Sequence, residues 1–172
     1  MRFALAGVGV VVLLIAIVVA VGYSLPVKHR AEVSATFKAT PETVFTLITN
    51  VEAFPGWRSG LKSVELLPST DGRKRFREIS SDGAIVYVIE SSEPGRRLVT
   101  RIDDKSLPFG GTWTHELTPT ADGGVTLRIT EDGEIYNPVF RFVSRFFMGY
   151  DRTIKTYLAD VGRQTAGLAA RK

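Results

Sequence analysis

The chain opens with an uninterrupted apolar segment that differs from the patterned sequence after it. No charged residue occurs from Phe3 to Tyr23. At about 1.5 Å per residue, a helix of this length spans about 30 Å, which is the hydrocarbon thickness of a bilayer. The segment predicts a transmembrane helix over 3–23, a linker over 24–30 and one domain over 31–172. A cleaved signal peptide is the alternative, although the apolar cores of such peptides run about 7 to 15 residues.

Period-two alternation marks the first strand of the domain. Val33, Ala35 and Phe37 are apolar and polar residues stand between them, which is the pattern of a half-buried strand. The next residues, Thr40-Pro41-Glu42, supply an N-cap, a proline at the first helical position and an early acid. A helix of about ten residues is predicted there, with a second short helix or turn over 50–57.

Turn signals divide the middle of the chain into short strands. Four Xaa-Gly or Pro-Gly pairs separate segments rich in β-branched and aromatic residues, and glycine accepts the positive φ that hairpin turns require. These pairs are Asp71-Gly72, Asp82-Gly83, Pro94-Gly95 and Asp122-Gly123. With a break at 106–108, they predict strands over 61–68, 73–80, 84–92, 97–103, 109–118 and 125–131. Including the first strand, the sequence predicts a seven-stranded antiparallel sheet, because the short connections leave no room for parallel crossovers.

The last segment has a clear helical period. Asn137-Pro138 opens it, and its apolar residues fall on one side of a helical wheel. They are Val139, Phe142, Val143, Phe146, Phe147, Tyr150, Ile154, Tyr157, Leu158 and Val161. Basic residues, Arg141 and Arg145 among them, fall on the opposite side. We predict one long helix that passes through Gly149, with room for a bend at that glycine, and lies against the sheet.

Two stretches resemble those of a known superfamily. Residues 39–45 with Phe54-Pro55-Gly56-Trp57 look like its helix pair after the first strand, and 130–135 with 137–142 look like its junction between last strand and long helix. Over about residues 31–165 the chain resembles the START-like, or SRPBCC, superfamily and its bacterial polyketide cyclase/dehydrase-like group. The resemblance implies an α+β helix-grip fold, in which a curved sheet wraps around the C-terminal helix and encloses an apolar cavity.

The cavity that the resemblance implies would hold a lipid, an isoprenoid, a polyketide or another apolar ligand. Aromatic residues provide broad apolar walls and some carry a polar group as well, so we expect them to line it. The candidates are Phe54, Trp57, Tyr87, Trp113, His115, Phe142, Phe146 and Tyr150. Ordinary core packing is the alternative for each of them.

His115 is the one catalytic candidate. Strand parity puts it on the same face as Trp113, where a neutral imidazole could orient a ligand carbonyl or act as a general base. A histidine that is hydrogen-bonded within the wall is the alternative. Glu131, Asp132 and Glu134 could supply a partner carboxylate, but acids at a strand end are more often turn and cap residues.

Composition excludes several kinds of site. The chain has no cysteine, which rules out disulfides and thiolate metal ligands. Its two histidines lie far apart in sequence, so we predict neither a metal site nor a cofactor. The net charge of +4 is spread over several segments, which favours attraction to anionic lipid head groups over binding of nucleic acid.

Three functional hypotheses follow. The first is a noncatalytic bacterial protein of the cell membrane, single-pass, that binds a hydrophobic small molecule or lipid in its cavity. The second is an enzyme, a cyclase, dehydratase or hydratase that acts on an apolar carbonyl compound in the same cavity. The third is a module that grips a partner protein. Charges flank both ends of the apolar segment, so the side of the membrane that carries the domain stays open.

Overall fold

The computed structural model describes residues 2–170, and it consists of an apolar helix, one antiparallel sheet and a helical C-terminal region. The strands are β1 (Lys28–Phe37), β2 (Leu61–Thr70), β3 (Arg73–Ser80), β4 (Ala84–Glu93), β5 (Arg97–Ile102), β6 (Phe109–Pro119) and β7 (Val125–Ile135). The helices are α1 (Arg2–Ser24), α2 (Pro41–Thr49), a 3₁₀ helix (Val51–Gly56), α3 (Pro138–Val143), a π-helical turn (Ser144–Met148) and α4 (Arg152–Ala169). Residues 171 and 172 of the predicted domain lie outside the described residues.

The predicted seven-stranded helix-grip architecture is confirmed. The strands lie in the order β1-β7-β6-β5-β4-β3-β2, so that β1 closes the meander beside the last strand. β1 pairs with β7 along its whole length, from Lys28 opposite Glu134 to Phe37 opposite Val125. It therefore begins inside the segment predicted as a linker, because the backbone of residues 28–30 already pairs with β7.

The hairpin turns follow the glycine signals. In the β2–β3 turn, Asp71 has a φ of 51° and Gly72 has a φ of 73°. Two consecutive residues with positive φ give a turn whose twist matches that of the flanking strands in a two-residue hairpin. Aspartate followed by glycine is a favoured pair for such a turn. The turn therefore fixes the pairing of β2 with β3.

The main core lies between the concave face of the sheet and α4. Tyr157, Leu158 and Val161 of α4 pack in one cluster with Leu127 and Ile129 of β7. A smaller cluster is formed by Val51, Phe54 and Phe76, beneath the 3₁₀ helix. The concave face is therefore filled along α4.

The predicted long C-terminal helix is present as α4, but it is not continuous with α3 through Gly149. The amide of Gly149 donates to the carbonyl oxygen of Ser144 at 2.9 Å, which closes a π-type turn, and Gly149 then adopts a φ of 75°. The helix therefore stops at Gly149 and resumes at Arg152, with a different phase on each side. As a result Phe146 and Phe147, expected to pack inward, are exposed.

Arg141 was expected on the solvent face of this helix but is only 6% exposed. The reason is α1, whose last turns pack against α3. The guanidinium of Arg141 donates from Nη1 to the carbonyl oxygen of Leu25 at 2.6 Å. It also donates from Nη2 to the carbonyl oxygen of Tyr136 at 3.4 Å.

α1 is long and apolar enough to cross a membrane, as the sequence predicts, and only 6% of the stretch Gly7–Ser24 is buried against the rest of the chain. Within Gly7–Ser24, the residues that the domain covers partly or fully lie in the C-terminal part, from Val18 onward. Gly22 is buried there, and a Cβ atom at this position would overlap the carbonyl of Pro138. The absence of a side chain at Gly22 thus allows α3 to pack closely on α1.

Candidate functional site

A cavity of about 420 Å³ lies between the concave face of the sheet and the α3–α4 region. Most of its wall is apolar, with contributions from β3 to β6, the end of β7 and the helices. The apolar lining includes Ile48, Val51, Phe54, Phe76, Ile85, Ile89, Leu98, Ile102, Phe109, Ile135, Phe140 and Met148.

The cavity opens at one end of the sheet. Because the strands are antiparallel, the start of β1, the end of β7, the β3–β4 turn and the β5–β6 loop all lie at this end. Several exposed members of the lining are also there, among them Asp82, Phe140, Met148 and Gly149. We call the opening between the β3–β4 turn and the α3–α4 break the mouth.

Five of the eight residues that the sequence proposes for the lining contribute to this cavity. They are Phe54, Tyr87, Trp113, His115 and Tyr150. Burial raises the pKa of the Tyr87 hydroxyl, so it is neutral and can donate a hydrogen bond. The other three proposed residues, Trp57, Phe142 and Phe146, lie elsewhere.

Trp57 packs beside the cavity without lining it. Its ring contacts Phe54 and Tyr157 edge to face, with centroid separations of 5.5 and 5.6 Å. Its other side lines a shallow groove between α2 and α4. The side chain therefore closes the core at the border of the cavity.

Phe142 and Phe146 lie on the outer side of the α3 region. Their rings are 4.9 Å apart, and Phe142 also lies 6.0 Å from Phe147. The π-helical turn and the break at Gly149 account for this position, because the helical wheel assumes one uninterrupted period. These rings pack with one another on the surface.

His115 lies deep in the wall and is 3% exposed. Its ring is 5.7 Å from that of Tyr157 and 6.0 Å from that of Trp113. Burial lowers its pKa to about 4, so the imidazole is neutral at neutral pH. Within residues 2–170, its Nδ1 atom has no hydrogen-bond partner.

A polar cluster forms where β1, β6 and β7 meet, around His29, a residue that the sequence pattern did not single out. Glu131 accepts a hydrogen bond from Nε1 of Trp113 at 2.8 Å, and its other oxygen lies 3.2 Å from Nε2 of His29. The His29 ring stacks on Tyr150 with centroids 4.1 Å apart. It lies over Gly133, where a Cβ atom would overlap it. All four side chains line the cavity, and together we call them the His29 cluster.

A second polar group lies beneath the 3₁₀ helix. Arg58 and Glu78 form a close ion pair, and the guanidinium also lies over the rings of Phe54 and Tyr157 at 5.0 and 5.1 Å. Burial raises the pKa of the Glu78 carboxyl, against the effect of Arg58. Burial would lower the pKa of Arg58, but Glu78, together with the nearby Tyr157 and Tyr87, raises it. The pair therefore places a charged, hydrogen-bonding group in an otherwise apolar part of the wall.

These side chains offer the chemistry of binding and proton exchange. The cavity presents an imidazole beside a carboxylate in the His29 cluster, a neutral imidazole at His115 and a guanidinium at Arg58. Across the part of the chain described here, no group of three or more His, Asp or Glu side chains could hold a metal ion.

Comparison with solved structures identifies the same fold in several proteins. A START superfamily protein from Mycobacterium smegmatis is 16% identical, covers 81% of this chain and 99% of its own, and has a TM-score of 0.65. The Zhui aromatase/cyclase from Streptomyces sp. R1128 is 14% identical over 81% of this chain and 94% of its own, with a TM-score of 0.63. Norcoclaurine synthase from Thalictrum flavum, a point mutant, is 7% identical over 83% of this chain and 97% of its own, with a TM-score of 0.67. At these identities the likeness establishes the fold alone.

Sequence comparison gives the family. No curated protein matches the chain. The model of one family matches residues 28–162, from the first residue of β1 into α4. This match covers the whole sheet and both polar groups of the cavity, and the chain therefore belongs to the family described as polyketide cyclase/dehydrase and lipid transport.

Proposed function

We propose that this protein binds a hydrophobic small molecule or lipid in its cavity and is anchored in a membrane by α1. The cavity carries the proposal. Its volume of about 420 Å³ falls within the range of small-molecule sites, about 300 to 1,000 Å³, which are typically apolar with a few polar groups. The expected ligand has an apolar body and at least one polar end.

The polar groups define where that end can bind. The His29 cluster lies near the mouth, since His29 is at the start of β1 and Tyr150 follows the helix break. Arg58 and Glu78 lie toward the β2 edge of the sheet, beside the smaller core cluster. A hydroxyl or carbonyl at the polar end of the ligand can hydrogen-bond at either place, whereas the apolar body contacts the residues between them.

The membrane anchor is supported by the surface of α1. Its apolar side chains from Val8 to Ile17 are about half exposed or more, and exposed apolar helices of this length are unfavourable in water. Insertion into a bilayer removes this surface from water. The domain would then be held beside the lipid in which a hydrophobic ligand dissolves.

Native mass spectrometry of the full-length chain in nanodiscs, with extraction and identification of bound lipids, tests the binding function. We expect an apolar molecule to copurify with the protein. The control is Ile102→Trp, which places a larger side chain in the cavity wall and should abolish retention while leaving the fold intact by circular dichroism. A wild-type protein that retains no more apolar molecule than this variant would contradict the proposal.

The His29 cluster favours a second candidate, an enzyme that acts on an apolar carbonyl compound. A histidine within hydrogen-bond distance of a carboxylate can exchange a proton with a bound substrate. Glu131→Gln separates the two functions, because the amide keeps an acceptor for Trp113 but removes the charge beside His29. A bound compound that the wild type converts and this variant binds but does not convert would establish the enzyme, whereas an unchanged compound in both supports the binding protein.

A further inference from the structure

The α3 region and the π-helical turn after it carry several exposed apolar side chains. They are Val139, Phe140, Phe146, Phe147 and Met148, and we call this set the apolar ridge. Phe147 is 77% exposed and Phe146 is 57% exposed. Two neighbouring phenylalanines at this exposure are unusual on a water-facing surface and indicate a contact with another apolar phase.

The packing of α1 determines where the ridge lies. α3 contacts the last turns of α1, where Gly22 meets Pro138 and the Leu25 carbonyl accepts from Arg141. The apolar run of α1 extends to Tyr23. A helix that packs against the end of a membrane span is located at the depth of the bilayer interface, and aromatic side chains are enriched there.

The charges around the ridge fit the same location. Arg145 precedes Phe146, and Arg152 begins α4 just after the break, and both side chains are exposed. Basic residues beside an apolar surface are attracted to anionic head groups while the apolar side chains enter the acyl region. The segment thus has the composition of an interfacial membrane contact.

The ridge is also part of the cavity wall. Phe140 and Met148 line the cavity and are exposed on the outside, and Gly149 with its positive φ lies beside them at the mouth. One layer of side chains therefore separates the cavity from whatever the ridge contacts.

We propose that the apolar ridge lies in the bilayer interface and that the ligand enters the cavity directly from the lipid, past Phe140 and Met148. This inference rests on the proposed function, since it requires a ligand-binding cavity and an anchor in α1. It adds the route by which the ligand arrives and assigns it to the class of molecules that reside in the bilayer.

Depth-dependent quenching tests the contact with lipid. The chain contains no cysteine, so the full-length protein with Phe147→Cys can be labelled at one site with a fluorophore and placed in nanodiscs that contain doxyl-labelled phosphatidylcholine. We expect strong quenching at 147. Leu66→Cys is the matched control, because Leu66 is an exposed apolar side chain on β2, at the opposite edge of the sheet from β1. Equal quenching at the two positions, or none at 147, would overturn the inference.

Uptake kinetics test the route. NBD-labelled stearate is presented either in phosphatidylcholine vesicles or in detergent micelles to the wild type and to Phe146→Ser/Phe147→Ser. We expect uptake from vesicles to fall at least about tenfold in the variant, because each inserted phenylalanine contributes more than a tenfold change in partitioning. Binding from micelles and the circular dichroism spectrum should be unchanged, and Leu66→Ser should behave as the wild type.

The outcomes separate this inference from the proposed function. Binding of the probe with equal vesicle uptake in wild type and variant overturns the entry route and leaves the proposed function standing. Failure of the wild type to bind the probe from either source, together with an empty cavity in native mass spectrometry, overturns both.

Discussion

Arg141 joins the membrane-spanning candidate helix to the domain through the carbonyl oxygen of Leu25, which accepts from its Nη1 atom at 2.6 Å. Leu25 follows directly after the last residue of α1, where helix carbonyls lack intrahelical partners. The buried guanidinium of Arg141, in α3, therefore supplies a hydrogen-bond donor for a carbonyl group at the C-terminal end of α1.

We predict that Arg141→Met destabilises the domain by about 1.5–3 kcal/mol, because hydrogen bonds from a charged donor contribute about this much. Methionine fills similar space but leaves the carbonyls of Leu25 and Tyr136 without this donor. Urea unfolding of the full-length protein in detergent, followed by tryptophan fluorescence, measures the change. Arg145→Met is the control and should stay within about 0.5 kcal/mol, since Arg145 is exposed; equal effects would contradict the role of Arg141.

Gly22 and Gly9 provide a matched pair within α1. A Cβ atom at Gly22 would overlap the Pro138 carbonyl, whereas one at Gly9 would meet nothing within 4 Å. We expect Gly22→Ala to loosen α1 from α3 and to accelerate proteolysis between α1 and β1, although alanine is the better helix former. Gly9→Ala should leave the cleavage rate unchanged. Limited proteolysis of both variants in nanodiscs measures this, and identical rates would show that the contact is unimportant.

The Arg58–Glu78 pair should respond strongly to loss of one partner. Removing one member of a buried ion pair costs about 3–5 kcal/mol, because the other charge stays buried without compensation. Glu78→Ala is therefore expected to lower the free energy of unfolding by about this amount in urea titrations. The exposed pair between Glu65 and Arg77 gives the comparison, and Glu65→Ala should cost no more than about 1 kcal/mol.

A double replacement tests whether the stability lost in Glu78→Ala comes from leaving the charge of Arg58 unpaired. Arg58→Met with Glu78→Leu removes both charges and should restore most of the stability lost in Glu78→Ala. A double variant as unstable as the single one would mean that packing, and not the unpaired charge, is responsible.

His115 should make stability depend on pH below neutrality. Burial lowers its pKa to about 4, whereas an unfolded histidine titrates near about 6.5. The unfolded chain takes up the proton first, so the contribution of His115 is complete above about pH 6.5 and is lost as the pH falls toward about 4. Urea unfolding at a series of pH values should show this loss in the wild type.

His115→Leu removes the titrating group and isolates its effect. Carboxyl groups titrate in both proteins, so the difference in unfolding free energy between wild type and variant is the quantity to follow. It should change in favour of the variant as the pH falls through this window. A difference that is constant with pH would refute the prediction.

The sequence predicted the sheet well because its signals are local. Alternation around Val33 and the Asp-Gly turns locate strands without knowledge of their partners, and the observed bounds agree to within a few residues. The inward position of His115 followed from the same parity. Local patterns therefore sufficed for the strands and for one wall of the cavity, whereas the helix-grip fold was implied by the family resemblance.

Features that depend on distant contacts were missed. His29 falls in the predicted linker, because Lys28 and Arg30 flank it. Only the pairing of His29 with Gly133 brings it into the cavity. The cluster partner Glu131 lies directly opposite Trp113, so correct register between β6 and β7 would have revealed this pair. A helical wheel likewise cannot show that α1 covers Arg141.

The short passage from α1 to β1 has a practical consequence for truncated versions of the protein. Residues 25–27 also form hydrogen bonds with the domain, since the carbonyl of Val27 accepts from the amide of Ile135 at 2.9 Å. A soluble form cut after residue 27 would lose this bond and the Leu25 carbonyl that accepts from Arg141, both beside the mouth of the cavity. Ligand affinities measured on such a form would describe an altered entrance, so α1 belongs in any preparation used for binding studies.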